Sequence, residues 1–280
     1  MIRILVPTDF SATAERAFRF AAELASRTKG TVILYHVNQK EEIPYFDSDE
    51  KKHEYQQQLE VKQLKRLQRL KKKVVSPQMS VIVSTIVSQP PVIKNMLAFA
   101  KQNQIELIVM GTQGASGLKK AVVGSTTSQV IEKSNIPVLI VPEKYEWKDP
   151  KEIVFATNYH CTDRAALSFT LSLAKVFSAD VTVLHVQHID SNEKDHSHCF
   201  SNYAYFLQRT FNDSHIKFKE LKSAHIKDSL EHLRDTFSFD LMVMVRRNKR
   251  FLEKLFLKSF TKNMACTTRL PLLVVPEEEE

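Results

Sequence analysis

Glycine and cysteine are scarce in this chain, and long apolar runs are absent. Only 5 glycines and 10 prolines occur among 280 residues, which argues against long flexible linkers. The 3 cysteines, Cys161, Cys199 and Cys266, have neither the number nor the spacing of a disulfide framework. No stretch approaches the roughly 18 uninterrupted apolar residues of a membrane-spanning helix. We therefore expect a cytoplasmic protein.

The N-terminal segment, MIRILVPTDFS, lacks the features of a secretory signal peptide. It has one positive charge and a short apolar run followed by an aspartate, whereas a signal peptide has a longer apolar region and a small-residue cleavage site. We interpret it as a first strand. The composition, 43% hydrophobic and 26% charged, excludes a disordered or fibrous chain. At about 150 residues per domain, the length predicts two domains.

The positive charge is concentrated in one segment. Residues 51–73 contain nine lysines and arginines but only two acids, Glu54 and Glu60, and this excess is nearly the whole net charge of +8. A basic helix of this kind is usually a solvated face. The alternative is that this helix is a docking surface for an anionic partner, and the candidate for that partner is a protein of unknown identity. Nucleic-acid binding is unlikely, because the basic helix is its only support.

Four sequence blocks recur in the same order along the chain, which indicates an internal repeat. The pairs are Ile4–Asp9 with Ile153–Asn158, Val32–Val37 with Val181–Val186, Leu107–Met110 with Leu241–Met244, and Ile136–Pro142 with Leu270–Pro276. The first two pairs are offset by 149 residues and the last two by 134. We therefore predict two domains, 1–146 and 147–280.

Each copy alternates apolar runs with amphipathic segments. In the first copy we expect strands at 2–6, 31–37, 80–87, 107–110 and 137–141, and helices at 12–27, 50–74, 91–103 and 125–134. Asp9 or Ser11 can cap the first helix. Leu64, Leu67, Leu70 and Val74 form the apolar stripe of the second. Strands without polar alternation are buried on both faces. This pattern predicts an α/β protein of two doubly wound domains with helices on both faces of a parallel sheet.

Polar residues follow the first strand of the first copy. In doubly wound sheets, ligands bind at the carboxyl ends of the strands, where the strand order reverses. Pro7, Thr8 and Asp9 lie at this position. The acidic side chain there can accept hydrogen bonds from a ribose or a base. His36, at the end of the second strand, recurs as His185, and we interpret both as structural.

Four of the 5 glycines follow the fourth strand, at Gly111, Gly114, Gly117 and Gly124. Glycine permits positive φ and lets backbone N–H groups approach a phosphate closely. Ser125–Thr127 then begin a helix, whose N-terminus can bind an anion. Tight turns without a ligand are the alternative interpretation of these glycines. The spacing is neither that of a Walker A loop nor that of a dinucleotide GxGxxG motif.

With this pattern, both halves resemble universal stress protein domains. The shared signature is G-x2-G-x9-G-[ST], present here as Gly111, Gly114 and Gly124-Ser125, and the segments VPTDFS and SNIPVLIVP reinforce it. The resemblance covers almost the whole chain. It implies a five-stranded parallel sheet in the order 3-2-1-4-5, an adenine nucleotide, usually ATP, in the crevice, and dimerisation through the last strand.

The resemblance also implies a role for each matching position. Pro7, Thr8 and Asp9 would line the adenosine, Val37 would contact the adenine with Met110 beside it, and Gly111, Gly114, Gly124, Ser125 and Thr126 would hold the ribose and phosphates. In such proteins a divalent cation such as Mg often accompanies the triphosphate, but the sequence contains no obvious carboxylate cage for it. We assign no catalytic residue and no metal ligand.

The second copy departs from the signature. Asn158, Val245, Asn248 and Lys258 stand where the first copy has Asp9, Gly111, Gly114 and Gly124, and only Ser259 keeps the type of Ser125. Arg246, Arg247, Lys249 and Arg250 crowd the same loop, which we expect to be solvent-facing, with an anion contact as the alternative. We therefore predict one nucleotide site per chain.

A histidine-rich segment, Asp195–Cys199 with His188 nearby, is compatible with zinc or with a solvated loop. Its spacing is not that of a standard zinc site, which favours the loop.

The sequence thus predicts a regulatory or sensor protein that binds ATP in its first domain. A slow ATPase or phosphotransferase is one alternative, although Asp9, the only acid of the motif, is assigned to the nucleoside. A nucleotide-free interaction module is another. We expect the final strands, 137–141 and 271–275, to pair within the chain. Association of two chains into a homodimer is compatible with this arrangement.

Overall fold

The structure, a computed structural model, divides the chain into two compact units, Met1–Glu143 and Lys144–Glu280. The residues that it describes are 1–38, 46–112, 124–159, 163–188, 193–211, 215–223, 238–247 and 270–277. Each unit contains a parallel sheet of five strands, and helices lie between strands in the connections that the structure describes. The prediction of two doubly wound α/β domains is confirmed. In the described part of the chain, no helix has the length and apolar character needed to cross a membrane.

In the first unit, the strand order reverses at one point. Its elements are β1 (Arg3–Pro7), α1 (Ala12–Thr28), β2 (Thr31–Val37), α2 (Asp49–Val74), β3 (Ile82–Ser88), α3 (Val92–Gln102), β4 (Leu107–Gly111), α4 (Ser125–Lys133) and β5 (Val138–Val141). The strands lie in the order β3-β2-β1-β4-β5 and all pair in parallel. The reversal falls between β1 and β4, where Ile4 is opposite Leu107 and Leu5 opposite Ile108.

The second unit has the same topology. Its elements are β6 (Glu152–Ala156), α5 (Asp163–Phe177), β7 (Asp180–His188), α6 (Glu193–Phe211), β8 (Ile216–Ser223), β9 (Leu241–Arg246) and β10 (Leu272–Pro276). The order β8-β7-β6-β9-β10 places the reversal between β6 and β9. Residues 195–199 lie in α6, so the expectation of a loop there is wrong.

Ser11 caps helix α1. The Ser11 hydroxyl accepts a hydrogen bond from the backbone N–H of Ala14 at 3.2 Å, which satisfies one of the unpaired donors of the first turn. Asp9 is not the cap; its Oδ1 instead accepts from the Ser11 backbone N–H at 3.0 Å. The face of α1 that contains Ala14, Ala17 and Phe18 is buried, as its periodicity predicts.

Helix α2 buries a stripe that differs from the predicted one. Leu67, Leu70 and Val74 are buried as expected, but Leu64 is half-buried. Gln63, exposed by 1%, takes its place. The Oε1 of Gln63 accepts a hydrogen bond from Arg66 at 3.0 Å, which gives the buried amide a polar partner.

Several cations of the basic helix have partners inside the first unit. Lys71 Nζ donates to the Val83 carbonyl at 2.7 Å, and Lys73 Nζ lies 2.5 Å from the Glu15 carboxylate. The Arg66 guanidinium lies 3.8 Å from the centre of the Phe10 ring. Helix α2 is therefore attached to β3, to α1 and to the segment after β1 partly through its charges.

In the second unit, Asp240 fixes the start of β6. Its Oδ2 accepts from the backbone N–H groups of Lys151 at 2.7 Å and Glu152 at 3.2 Å, and Lys148 forms an ion pair with its other oxygen. Burial raises the pKa of Asp240, but these three partners favour the charged form together and the pKa is lowered overall.

We predict that Asp240→Asn destabilises the second unit at neutral pH by about 1–3 kcal/mol, because it removes a charged acceptor from a largely buried site. A carboxyl whose pKa is lower in the folded state stabilises the protein above the unfolded pKa, about 3.9, and this stabilisation is lost as the pH falls through the folded value. The difference between the variant and the original chain should therefore shrink in acid.

Urea unfolding at pH 7 and pH 3, followed by Trp147 fluorescence, measures this difference. Trp147 is the single tryptophan, lies in the second unit and contacts Phe177 with ring centres 5.9 Å apart. Asp180→Asn is the control, since Asp180 forms a more exposed pair with Lys217 and should change stability by less than about 1 kcal/mol. An equal deficit for Asp240→Asn at both pH values would contradict the assignment.

Candidate functional site

The point of strand reversal in the first unit is bordered by the segments that follow β1 and β4. In a doubly wound sheet this is the position of the ligand crevice. Strand β1 ends at Pro7 and strand β4 at Gly111, and the two strands are direct neighbours. The predicted residues Pro7, Thr8 and Asp9 thus lie at the same edge of the sheet as Met110 and Gly111.

Thr8 builds the turn that follows β1. Its hydroxyl accepts from the Phe10 backbone N–H at 3.0 Å, and its own N–H donates to the Tyr35 carbonyl at 2.9 Å. His36 Nδ1 donates to the Thr8 carbonyl at 2.8 Å, since a carbonyl can only accept. Phe10 has a φ of 65°, which is uncommon for an aromatic residue. The turn is therefore held to β2 on one side.

Two aromatic contacts support this turn. The Phe10 and His36 rings are tilted against each other with centres 4.5 Å apart, and Arg66 covers the Phe10 ring. Sequence reasoning predicted a structural role for His36 but did not single out Phe10 or Arg66. The turn leaves Asp9 half-buried at the edge of the sheet, with Oδ1 accepting from the Ser11 N–H.

Gly111 is required by packing against α1. A Cβ at this position would lie 2.8 Å from the carbonyl carbon of Thr13, and backbone atoms cannot yield to such a contact. Its φ lies outside the left-handed region, and Gly124 has ordinary angles, φ −59° and ψ 151°. Neither of these two residues uses the positive φ that glycine permits. Gly114 and Gly117 lie outside the described residues.

The N-terminus of α4 is fixed to the end of β4. The Gly124 N–H donates to the Thr112 carbonyl at 2.6 Å, and Thr127 Oγ1 donates to the Gly111 carbonyl at 3.0 Å. Within the described residues, no side chain caps α4, and Ser125 and Thr126 are exposed. The first N–H groups of a helix lack intrahelical partners. This end of α4 can therefore accept an anion.

Apolar residues end the neighbouring strands. Val37 closes β2 and is 9% exposed, while Met110 lies near the end of β4 and is 5% exposed. Pro7 is half-buried at the end of β1. The edge of the sheet thus combines apolar strand ends, an acidic turn and a helix N-terminus, which suits a ligand with a flat apolar part and a negatively charged part.

The second unit repeats the turn but not the residues that the sequence predicts for the nucleotide site. The Tyr159 N–H donates to the Thr157 hydroxyl at 2.9 Å, His185 Nδ1 donates to the Thr157 carbonyl at 2.9 Å, and Tyr159 has a φ of 61°. These contacts match those of Thr8, Phe10 and His36. Asn158, which replaces Asp9, is exposed.

A buried ion pair crosses the strand reversal of the second unit. Arg247, which follows β9, pairs with Asp163, the first residue of α5. Asp163 is fully buried and also accepts from the Thr157 hydroxyl at 2.5 Å and from the Tyr203 hydroxyl at 3.1 Å. Burial, with the neighbouring Asp163 charge, raises the pKa of Tyr203, so this phenol stays a hydrogen-bond donor.

The repeat offsets identify the positions of the first unit that correspond to this pair. At the two offsets of the repeat, Asp163 corresponds to Ala14 and Arg247 to Gln113. Two positions that carry no charge in the first unit therefore hold opposite charges in the second. The expectation of a solvent-facing basic loop is wrong for Arg247, whose side chain is only 25% exposed. Lys249, Arg250, Asn248, Lys258 and Ser259 lie outside the described residues.

Metal-binding chemistry finds no support in the described part of the chain. No group of three or more His, Cys, Asp or Glu side chains there is arranged to hold a metal ion. This finding does not include the side chains of residues 193–199, because the structure describes only the backbone of this part of α6.

The fold and this edge of the sheet define the chain as a doubly wound α/β protein of the Rossmann-like type. The universal stress protein family model matches residues 1–142, just over half of the chain. The chain belongs to the universal stress protein family.

Similar proteins cover either one half or the whole of the chain. Universal stress protein MJ0577 of Methanocaldococcus jannaschii is 30% identical over 156 residues, 51% of this chain and 95% of that protein. Universal stress protein YxiE of Bacillus subtilis is 29% identical over 150 residues, 50% of this chain and 97% of that protein. A crystal structure of a universal stress protein from Archaeoglobus fulgidus covers 99% of this chain and 97% of its own, with a TM-score of 0.70 and 16% identity, which shows the fold alone.

We predict that Arg247→Met destabilises the second unit by about 3–5 kcal/mol, because it leaves the Asp163 carboxylate buried without its cation. The double variant Asp163→Leu with Arg247→Met should recover most of this loss, since it removes both charges. Urea unfolding followed by Trp147 fluorescence measures the effect. Lys217→Met, which breaks the more exposed pair with Asp180, is the control. A single variant as stable as the original chain would rule out the pair as a stabilising contact.

Proposed function

We propose that the first unit binds one adenine nucleotide, ATP, at the reversal between β1 and β4, and that the protein acts as a cytoplasmic sensor or regulator. One observation carries this proposal. The acidic turn at Thr8 and Asp9 and the uncapped N-terminus of α4 lie after neighbouring strands, and both are fixed to the strand ends by hydrogen bonds. Donors for phosphate and an acceptor for ribose are thus present before any ligand arrives.

Each part of the nucleotide has a matching group. The N–H groups of Ser125 and Thr126, at the helix end that Gly124 anchors to Thr112, suit phosphate oxygens, and the Asp9 carboxylate suits ribose hydroxyls. The buried strand ends at Val37 and Met110 suit the flat base. If magnesium accompanies the triphosphate, phosphate oxygens and water would supply most of its ligands, because the described residues contain no carboxylate cluster.

The second unit would have a structural or regulatory role. The Arg247–Asp163 pair occupies the edge between β6 and β9 with charges of the chain itself, and Val245 stands in place of Gly111. This supports one nucleotide per chain. The proposal assigns no base to activate an attacking water, so we expect nucleotide binding rather than efficient turnover.

The first experiment counts the bound nucleotide. The protein is purified without added nucleotide and denatured, and the released compounds are identified and quantified by mass spectrometry. We expect about one adenine nucleotide per chain, and a chain purified empty should bind ATP with magnesium in a titration. Bound ADP would favour the slow ATPase. No release and no binding would reject the proposal and leave a nucleotide-free interaction module.

We predict that Asp9→Asn weakens ATP binding about 10- to 100-fold, because a hydrogen bond to a charged acceptor contributes roughly 1.5–3 kcal/mol. Asparagine keeps an oxygen that can accept from the Ser11 N–H, so the turn should persist. Isothermal titration calorimetry measures the affinity. Asp49→Asn removes an equal charge from the exposed start of α2 and should leave the affinity unchanged. Equal ATP affinities for the original chain, Asp9→Asn and Asp49→Asn would show that Asp9 does not contribute to ATP binding.

A further inference from the structure

The outer face of helix α2 carries four exposed cations, Lys62, Lys65, Arg69 and Lys72. None of them makes a hydrogen bond or an ion pair with another residue that the structure describes. They differ in this respect from the cations of the same helix that are attached to β3, to α1 and to the segment after β1. We call these four residues the basic stripe.

The basic stripe lies opposite the buried face of α2. Its members follow one another at intervals of three, four and three residues. Because a helix turns by about 100° per residue, they lie within about 80° of its circumference, over a length of about 15 Å. Leu67, Leu70 and Val74, on the other side of the helix, are buried. The stripe is therefore a straight row of charges that faces away from the first unit.

This row of charges is unfavourable for the helix itself. Like charges three or four residues apart destabilise a helix, and the basic stripe contains three such neighbouring pairs. Residues 61–73 include no acid. Glu15, on the adjacent helix α1, is already paired with Lys73, and β3 carries no charge. An anionic partner would relieve a repulsion that the described part of the first unit leaves in place.

The other residues of α2 distinguish between kinds of anionic partner. Proteins that bind single-stranded nucleic acids combine positive charge with aromatic side chains on which bases stack. Tyr55, the only Phe, Tyr or Trp of α2, is half-buried and packs against Phe46 with ring centres 5.1 Å apart. A helix that binds a membrane surface inserts an apolar face, whereas Val61 is the only exposed apolar residue of α2. These features favour an acidic protein segment.

We propose that the basic stripe is a docking surface for an acidic helix of a partner protein. Carboxylates that repeat every three or four residues along such a helix have the same axial spacing as the stripe, so that four ion pairs can form side by side. Each exposed pair is weak by itself, but complementary rows of charge speed association and fix the register of the two helices. The inference does not depend on nucleotide binding.

The test measures binding of labelled helical peptides by fluorescence anisotropy. One peptide carries four glutamates at the intervals of the basic stripe, and a second peptide of the same composition carries them as one block. We expect the original chain to bind the spaced peptide more tightly than the block peptide, and the affinity to fall as salt is added. Lys65→Gln with Arg69→Gln should weaken binding of the spaced peptide about 3- to 30-fold, as expected for the loss of two exposed ion pairs.

Lys94→Gln with Lys101→Gln is the matched control, because it removes the same charge from exposed positions of α3. This variant should bind the spaced peptide as the original chain does. An equal loss of affinity in both double variants would show attraction by net charge alone and would overturn the inference. Equal affinity for the two peptides would overturn it as well.

Two further measurements complete the test. Tighter binding of a single-stranded oligonucleotide, or of vesicles of anionic lipid, than of the spaced peptide would contradict the assignment of a protein partner. The variant Lys65→Gln with Arg69→Gln should melt at the same temperature as the original chain or higher, because the repulsion along α2 is reduced. A lower melting temperature would mean that these cations stabilise the fold, which is contrary to the proposal.

Discussion

The hydrogen bond from a strand-end histidine to a threonine carbonyl organises both units. His36 fixes Thr8, and His185 fixes Thr157, at 2.8 and 2.9 Å. Each bond ties the segment after the first strand of its unit to the second strand, and the threonine hydroxyl then closes the turn. Because the turn is fixed, the next residue and the start of the following helix take a defined place at the edge of the sheet. The chemistry of that edge depends on which residues fill those places.

The two units use this common frame in opposite ways. In the first, Ala14 and Gly111 keep the start of α1 and the end of β4 small, and the contact between Gly111 and Thr13 brings these elements together. In the second, Asp163 stands at the position of Ala14 and pairs with Arg247, which stands at the position of Gln113. A buried ion pair contributes little stability over apolar residues, but each partner makes the loss of the other costly. Substitution of one partner alone is therefore more destabilising than substitution of both.

The strands and helices were largely predictable, because buried parallel strands are continuous apolar runs and α1 has a clear helical period. In the first unit, the predicted and observed bounds of these elements differ by at most two residues. Contacts between distant residues were not predictable. Nothing in the spacing of Arg247 and Asp163 shows that they meet, and a basic loop without a partner is indistinguishable from one that is paired. Gln63 was missed for the same reason, since burial of an amide depends on the packing of other elements. The glycine pattern identified the family, yet only the structure shows that Gly111 packs against Thr13.

The contact between Lys71 and Val83 has a consequence for solubility. Strand β3 is the outer strand of the first unit, and its sequence, IVSTIVS, carries no charge. Edge strands of this kind can pair with strands of other molecules. Because the Ser88 carbonyl points toward β2, the alternating carbonyl of Val83 points outward, and the lysine ammonium occupies it. The outer strand of the second unit, β8, carries Lys217, Lys219 and Lys222 within its own sequence. Strand β3 has no charge of its own, so Lys71 of helix α2 supplies the charge at the outer edge of the first unit. A charge at this position opposes pairing with strands of other molecules.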